Sequence, residues 1–471
     1  MSDLAQRLDV ELLPEVRRVI DRTLSFGNLP DGSSRTEAIT NRVMALDEPQ
    51  VDTLLADVLT GFAGRHGHFQ ANLVQAAAAA RSCLDGTPLS RNRELLLGAA
   101  FTAEYAIEAA ALCNPSAMLH PDQSGLTDGQ ARLAVSVRGV GEGHISSIGF
   151  AEAVVGPGPS WRFESRQTPL TQGSQSAGQW RREHLCAVLD QSGLLTPAVQ
   201  RALSQLPDEG SSDDAEQALE GHDEARRVAA SAYRLAFPDS ALSQRVLFPT
   251  TQDERAGMED ARFVRFTGPD GTVDYRATYT AFDGSAILPR LLTSPDLRTF
   301  ETHRLAGAAS KNKGMALFPR LVGGRHLALC RADGQTTSLT SSRDGFTWDE
   351  PHSLLPPLHP WEMLQVGNCG SPIETEHGWL VLTHGVGPMR VYSIGAVLLD
   401  LDDPSRVLRR LERPLLRPGP DEQEGYVPHV VYSCGGVVHD GRLWLPYGVG
   451  DIRVRVAHVE VDELLAAMTQ G

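Results

Sequence analysis

Thr293-Ser294-Pro295-Asp296-Leu297-Arg298-Thr299-Phe300 and Thr340-Ser341-Ser342-Arg343-Asp344-Gly345-Phe346-Thr347-Trp348 echo one another. In each, Thr-Ser precedes an Asp-containing turn that ends on an aromatic residue. The copies lie about fifty residues apart, the length of one four-stranded propeller blade. Leu398-Leu399-Asp400-Leu401-Asp402-Asp403-Pro404 is a weaker third copy. From Asn114 onward, short apolar runs such as Ala131–Val137, Tyr275–Tyr279, His326–Cys330, Trp379–Leu382 and Leu443–Leu445 alternate with Gly, Pro, Asp and Ser clusters. That alternation marks an all-β region. About 350 residues at this period, less one insertion, correspond to about five blades. The expected fold class is an all-β five-bladed β-propeller with an N-terminal α-helical domain and a helical insertion. Such a fold gathers loops from every blade around one axial cavity, where residues remote in sequence can meet.

The helical parts are read from periodicity. Leu12-Leu13, Val16, Val19-Ile20 and Leu24 recur at helical spacing, as do Val51, Leu54-Leu55, Val58-Leu59 and Phe62. A third helix is expected over Leu73–Ala80 and a fourth over Glu94–Leu112. Residues 1–112 thus form a helical accessory domain and residues 113–471 the β domain. The insertion, about residues 169–243, carries helical stretches at Trp180–Asp190 and Ala215–Leu235, with the acidic run Pro207–Asp214 as the loop between them. Arg65-His66-Gly67-His68 reads as surface or hydrogen-bonded histidines rather than metal ligands.

Composition narrows the function classes. The chain has 471 residues, is 41% hydrophobic and 22% charged, and carries a net charge of -16. That balance argues against a nucleic-acid partner. No apolar run approaches the ~20 residues of a membrane span. The start, Met1-Ser2-Asp3-Leu4-Ala5, lacks the basic-then-apolar pattern of a signal peptide. The six cysteines form no Cys-x-x-Cys pair and read as reduced thiols, so a cytoplasmic location without structural zinc is expected.

Gly-x-Ser-x-Gly, His-Glu-x-x-His and Gly-x-x-x-x-Gly-Lys patterns do not occur. The distinctive polar stretch is Gly257-Met258-Glu259-Asp260-Ala261-Arg262, between strand-like runs. Adjacent acids on a strand point to opposite faces, so one can enter a cavity while the other is held by structure. Taken alone, the pair also fits a solvated, salt-bridged turn. Lys313, Arg331, His384 and Tyr392 each stand near a predicted strand end. Singly they read as snorkelling or hydrogen-bonded side chains. Together they would suit a phosphate dianion, with cations and neutral donors giving charge-assisted hydrogen bonds.

Asn114-Pro115; Gly257–Arg262; Asn312-Lys313 with Leu317-Phe318-Pro319; Arg331; Gly378–Val386; and Tyr447-Gly448-Val449-Gly450-Asp451 resemble, in order, glycoside hydrolase family 130, the family of β-mannoside phosphorylases and related hydrolases. The resemblance spans roughly residues 113–460 and implies a five-bladed propeller. It implies that Asp260 is the catalytic proton donor. Ala261 stands where the family more often has proline. The resemblance further implies phosphate binding by Lys313, Arg331, His384, Tyr392 and Arg138, and sugar binding by Asn114, Asp451, His144 and Ser147.

The implied reaction is inverting phosphorolysis of a β-mannoside to α-mannose 1-phosphate. No metal or organic cofactor is implied; inorganic phosphate is the co-substrate. The oxocarbenium-like transition state needs a protonated Asp260, whose environment is expected to raise its pKa. In the family the proton passes through a sugar hydroxyl. A family hydrolase is the alternative, with Glu362 and Glu424 as spare acids; a non-catalytic carbohydrate-binding propeller and a three-acid furanosidase-type propeller are further ones. The partners are a β-mannoside oligosaccharide and phosphate, with no nucleic acid or membrane, and the accessory domain is compatible with a homo-oligomer.

Overall fold

A computed structural model describes residues 4–84 and 86–470; Met1–Asp3 of the leader reading lie outside the described residues. The chain divides into two compact units. The larger takes the chain up to Pro14, Ala110–Arg166 and everything from Gly173; the smaller takes Glu15–Ala109 and Gln167–Gln172.

The larger unit is mostly β. One sheet path runs through Ala111–Leu119, Ala131–Val140, Ser146–Val155, Gly257–Thr267, Val273–Phe282, Ile287–Ser294 and Thr299–Arg304, then Tyr233–Ala236 and Ser174–Ala177. Two further sheets are built around His326–Cys330 with Thr337–Ser342, and around Gly378–Val386 with Tyr392–Leu399. A fourth pairs Arg442–Val449 with Arg453–Glu460 and takes Gln6–Leu12 on its edge, Gln6 opposite His458 and Leu12 opposite Val454. Several strands are covered on both faces: Gly378–Val386 is buried at every position. This explains why these segments read as continuous apolar runs rather than as alternation. Among the described residues, no helix is long and apolar enough to cross a membrane.

The N-terminal reading needs correction. Residues 6–12 and 19–23 are strands, not helix, and Val19–Thr23 pairs with Thr102–Ala106. Pro14 biases Leu13 away from helical backbone, and Val19 and Ile20 are β-branched. The fourth helix stops at Ala100 and the chain turns to strand. The helices Arg35–Met44, Glu48–Phe62, Phe69–Ala76 and Arg91–Ala100 pack in the smaller unit. The boundary set at residue 112 therefore shifts to Glu15–Ala109. His66 is buried and bonded to Glu104 at 2.7 Å. In the insertion, Ser211 caps the helix Ser212–Ala218, with Asp213 and Asp214 in its first turn. The acidic run is thus partly a helix start, where negative charge meets the helix dipole. Ala215–Leu235 divides into two helices and the strand Tyr233–Ala236.

The repeated turns share one geometry. Asp296 Oδ1 accepts from Arg298 N and Thr299 N, both at 2.8 Å, while Ser294 Oγ accepts from Leu297 N. Asp344 Oδ1 likewise accepts from Phe346 N and Thr347 N at 2.8 Å, and Ser342 Oγ from Gly345 N. Asp400 accepts from Asp402 N and Asp403 N. The aromatics that end the first two turns, Phe300 and Trp348, are fully buried. Asp344→Ala strips acceptors from two backbone N–H groups and should lower unfolding free energy by about 1–3 kcal/mol. Urea denaturation checks this; an unchanged midpoint would mean the turn holds without its carboxylate.

Candidate active site

The Gly257–Arg262 stretch opens the strand Gly257–Thr267, where the sheet passes from one antiparallel group to the next through a parallel pairing of Gly257 with Ser146. Gly257 has φ +148°, and a Cβ there would lie 2.9 Å from the Cβ of Ser146. Glycine is required by both conformation and space. Two residues on, the pairing with Val273–Phe282 is interrupted between Glu259 and Arg262. Asp260 occupies that bulge with φ +55°. Asn114, at a bulge between Cys113 and Ser116, has φ +50°, and Asp451 has φ +54°. Asn and Asp tolerate this left-handed region better than other side chains. With Arg390 at φ +57°, four residues of one cavity carry this backbone strain, which points to a functional site.

That cavity holds about 230 Å³ and is lined by Asn114, Arg138, Asp260, Arg262, Lys313, Arg331, His384, Tyr392 and Asp451, together with Gln365, Arg390, Val427, Val430 and Tyr432. Asn114 Nδ2 donates to Asp260 Oδ1 at 2.5 Å, and Arg138 Nη1 reaches the same oxygen at 3.2 Å. Arg138 also donates to Glu259 Oε1 at 2.7 Å, and Lys313 Nζ to Glu259 Oε2 at 2.5 Å. Glu259 is therefore the shared counter-ion of two cations. Arg262 donates to the backbone oxygen of Asp260 at 2.8 Å, to Cys369 O at 2.9 Å and to Tyr432 Oη at 2.8 Å.

Arg331 Nη1 lies 2.9 Å from His384 Nε2. A guanidinium only donates, so this imidazole nitrogen is the acceptor and His384 is neutral. Burial, then Arg331 and Arg262, hold its pKa well below the ordinary value. Arg331 has no carboxylate partner among the described residues, and its Nε is buried without a hydrogen-bond partner. The ring of His384 is near-parallel to Tyr392, with centroids 6.1 Å apart.

The expectation of a raised pKa at Asp260 is overturned. Burial pushes it up, but Arg138, Arg262 and Lys313, with the Asn114 amide, more than offset this and hold it at about 2. The acid that is raised is Asp451, pushed up to about 6 by burial and then by the charge of Asp260. Two carboxylates in one cavity thus divide their titrations, a hallmark of catalytic pairs.

His144 and Ser147 do not join the lining. His144 is exposed, its Nδ1 3.3 Å from Tyr426 Oη. Ser147 is fully buried; it is the neighbouring Ser146 whose Oγ accepts from Arg138 Nε at 2.8 Å. A one-residue step along a strand reverses the face. Of the spare acids, Glu362 is buried against Arg410 at 2.7 Å, and Glu424 is exposed; neither lines the cavity. The sequence reading missed Gln365, Arg390 and Tyr432. Arg390, exposed with φ +57° after Met389 at φ +58°, had a signal in the Gly387-Pro388 turn; Tyr432, inside an apolar run, had none.

A family profile described as beta-1,4-mannooligosaccharide phosphorylase matches residues 240–470. The chain is 35% identical over 230 residues to a 1,2-beta-oligomannan phosphorylase of Thermoanaerobacter sp. (strain X514), covering 47% of this chain and 75% of that protein. It is 33% identical over 223 residues to a beta-1,2-mannobiose phosphorylase of the same organism, covering 46% and 72%. A solved beta-1,2-mannobiose phosphorylase from Listeria innocua aligns with TM-score 0.46 and 21% identity, over 77% of this chain and 92% of that one.

The Asp451 shift makes a pH prediction. A carboxyl raised above its unfolded value favours the native state at low pH, and that advantage is lost as pH rises through about 6. Asp451→Asn removes the buried charge. Its melting temperature relative to the parent chain should therefore climb between about pH 4 and 7 and level off above, as scanning calorimetry would show. A pH-independent difference would mean Asp451 titrates normally.

Proposed function

The chain belongs to glycoside hydrolase family 130, and from that membership we propose that it is an inverting phosphorylase that cleaves β-mannosides with inorganic phosphate to give α-mannose 1-phosphate. The observation that carries this reading is the cavity that sets Asp260 among Arg138, Lys313, Arg331 and Arg390. A hydrolase would need a second carboxylate to activate water. Glu362 and Glu424 do not line the cavity, and Asp451 is the one candidate there. An anion already bearing charge needs positioning more than deprotonation, which is what a cation cluster supplies.

In the proposed reaction, Asn114 and Asp451 hold the mannosyl unit. A phosphate oxygen attacks C1 as the glycosidic C–O bond breaks, and the proton of Asp260 reaches the leaving oxygen through a sugar hydroxyl. Arg331, Lys313 and Tyr392 hold the phosphate, while neutral His384 orients Arg331. The chemistry calls for no metal or organic cofactor. The fold that suits it is a five-bladed propeller closed by Gln6–Leu12 on Arg453–Glu460, acting in the cytoplasm.

The low pKa of Asp260 gives phosphate a second task. Ligand-free, the cations keep this acid ionised. A bound dianion offsets their field, raises the pKa and promotes the protonated form the donor step requires. Phosphate binding should therefore take up protons near neutral pH. Calorimetric titration of phosphate, with the bound sugar present, in buffers of differing ionisation enthalpy reads that uptake; equal heats in every buffer would sink the coupling.

The activity test is incubation with short β-mannosides with and without phosphate. Mannose 1-phosphate should form only with phosphate, whereas phosphate-independent mannose release would point to the hydrolase. Asp260→Asn should lower kcat by roughly 10²–10⁴-fold. Lys313→Ala and Arg331→Ala should raise KM for phosphate more than KM for mannoside. Equal loss of both would remove these residues from the phosphate site.

A further inference from the structure

Of the 43 lysines and arginines in the chain, only Lys311 and Lys313 are lysine. Lys311 is exposed, whereas Lys313 lines the cavity that contains Asp260. A guanidinium is a planar fork suited to one fixed geometry. An ammonium is a point charge on a flexible stem, and its donors can turn from one acceptor to another. The backbone beneath this ammonium is pinned: Asn312, at φ +63°, accepts from the Lys313 N–H through Oδ1 at 2.8 Å. Freedom is therefore left to the side chain.

The two ends of the Lys313–Glu259 ion pair differ. The Lys313 side chain is 36% exposed, and the Glu259 side chain 8%. Glu259 does not line the cavity. Its other oxygen accepts from Arg138 Nη2 at 2.7 Å, and Arg138 is held in turn by Ser146 Oγ at 2.8 Å and Asp260 Oδ1 at 3.2 Å. The carboxylate is thus anchored behind the wall, while the ammonium faces the space where the proposed reaction places phosphate. An anion entering that space competes with Glu259 for Lys313.

We infer that Glu259 is a positioning residue that acts through Lys313: the ammonium leaves Glu259 for incoming phosphate and returns to it as mannose 1-phosphate departs. The identity of the two anions rests on the phosphorylase reading; the exchange rests on the ion pair. Substrate and product are both phosphate anions held by the same cations. Without a resident competitor the cavity would bind both more tightly and release the product more slowly. Glu259 also opposes the field of Arg138 and Lys313, which with Arg262 keeps Asp260 ionised. Its loss would make the donor acid harder to protonate.

The test pairs calorimetric titration of the full chain with inorganic phosphate and phosphorolysis of short β-mannosides on the same preparation. Glu259→Gln keeps the shape and an acceptor oxygen but removes the competing charge. Its Kd and KM for phosphate should fall by at least about threefold, and its kcat should fall by at least about threefold as well. A purely structural Glu259 would instead loosen Lys313 and raise both constants, so an unchanged or raised phosphate Kd overturns the exchange. A second measurement holds even where that variant fails to fold. With two lysines in the chain, isotopic methylation gives Lys313 a magnetic resonance signal that Lys313→Arg identifies. Saturating phosphate should move this signal and leave that of Lys311 in place; an unmoved Lys313 signal overturns the exchange. Normal phosphorolysis with an unmoved signal rejects the exchange alone. A moved signal and tighter phosphate binding in Glu259→Gln, without phosphorolysis, reject the catalytic reading and keep the exchange.

Discussion

The buried guanidinium of Arg262 is the interaction on which the site depends. It is 1% exposed and donates to Asp260 O, Cys369 O and Tyr432 Oη, joining segments far apart in the chain. A buried charge is stable only when its donors are met, so these three segments are held at fixed separation. The bond to the Asp260 carbonyl also stabilises a peptide bent into the left-handed region, two residues from Arg262 itself. That bend turns the Asp260 carboxyl toward Asn114 and Arg138.

Electrostatics in the cavity follow from this placement. The chain is acidic overall, yet five guanidinium or ammonium groups face one space. Glu259 restrains Lys313 and Arg138, and neutral His384 accepts from Arg331. Asp260 gains from the surrounding positive field, whereas Asp451 is opposed by burial and by Asp260. One cavity thus contains an acid that resists protonation and an acid that accepts it readily. The difference arises from position relative to the cations, because both side chains are aspartate.

Much of the fold was legible because its signals are local. A turn carboxylate that accepts from the N–H groups two and three residues ahead needs only a short stretch of sequence, so Asp296 and Asp344 announced the repeat. The cavity residues Lys313, Arg331, His384 and Tyr392, proposed to bind phosphate, could be picked out because each stood near the end of an apolar run. Pairing over long separations left no such trace: Gln6–Leu12 meets Arg453–Glu460, and Val19–Thr23 meets Thr102–Ala106. Their apolar spacing also fits a helix until the partner strand is known. The low pKa of Asp260 was illegible for the same reason, since Arg138 stands more than a hundred residues earlier. Which of Ser146 and Ser147 faces Arg138 was not legible either, because the face of a strand depends on register.

The pairing of Gln6–Leu12 with Arg453–Glu460 also orders events in time. During synthesis that first strand emerges with its edge unmatched, and its partner leaves the ribosome hundreds of residues later. The fourth sheet, which ends beside Asp451, can close only once Arg453–Glu460 has been made. Until then an unpaired strand and its partner sheet stay open to other chains, the usual route to edge-to-edge aggregation. The site beside Asp451 is therefore completed only after Arg453–Glu460 has been made, and the nascent chain depends on protection of that edge.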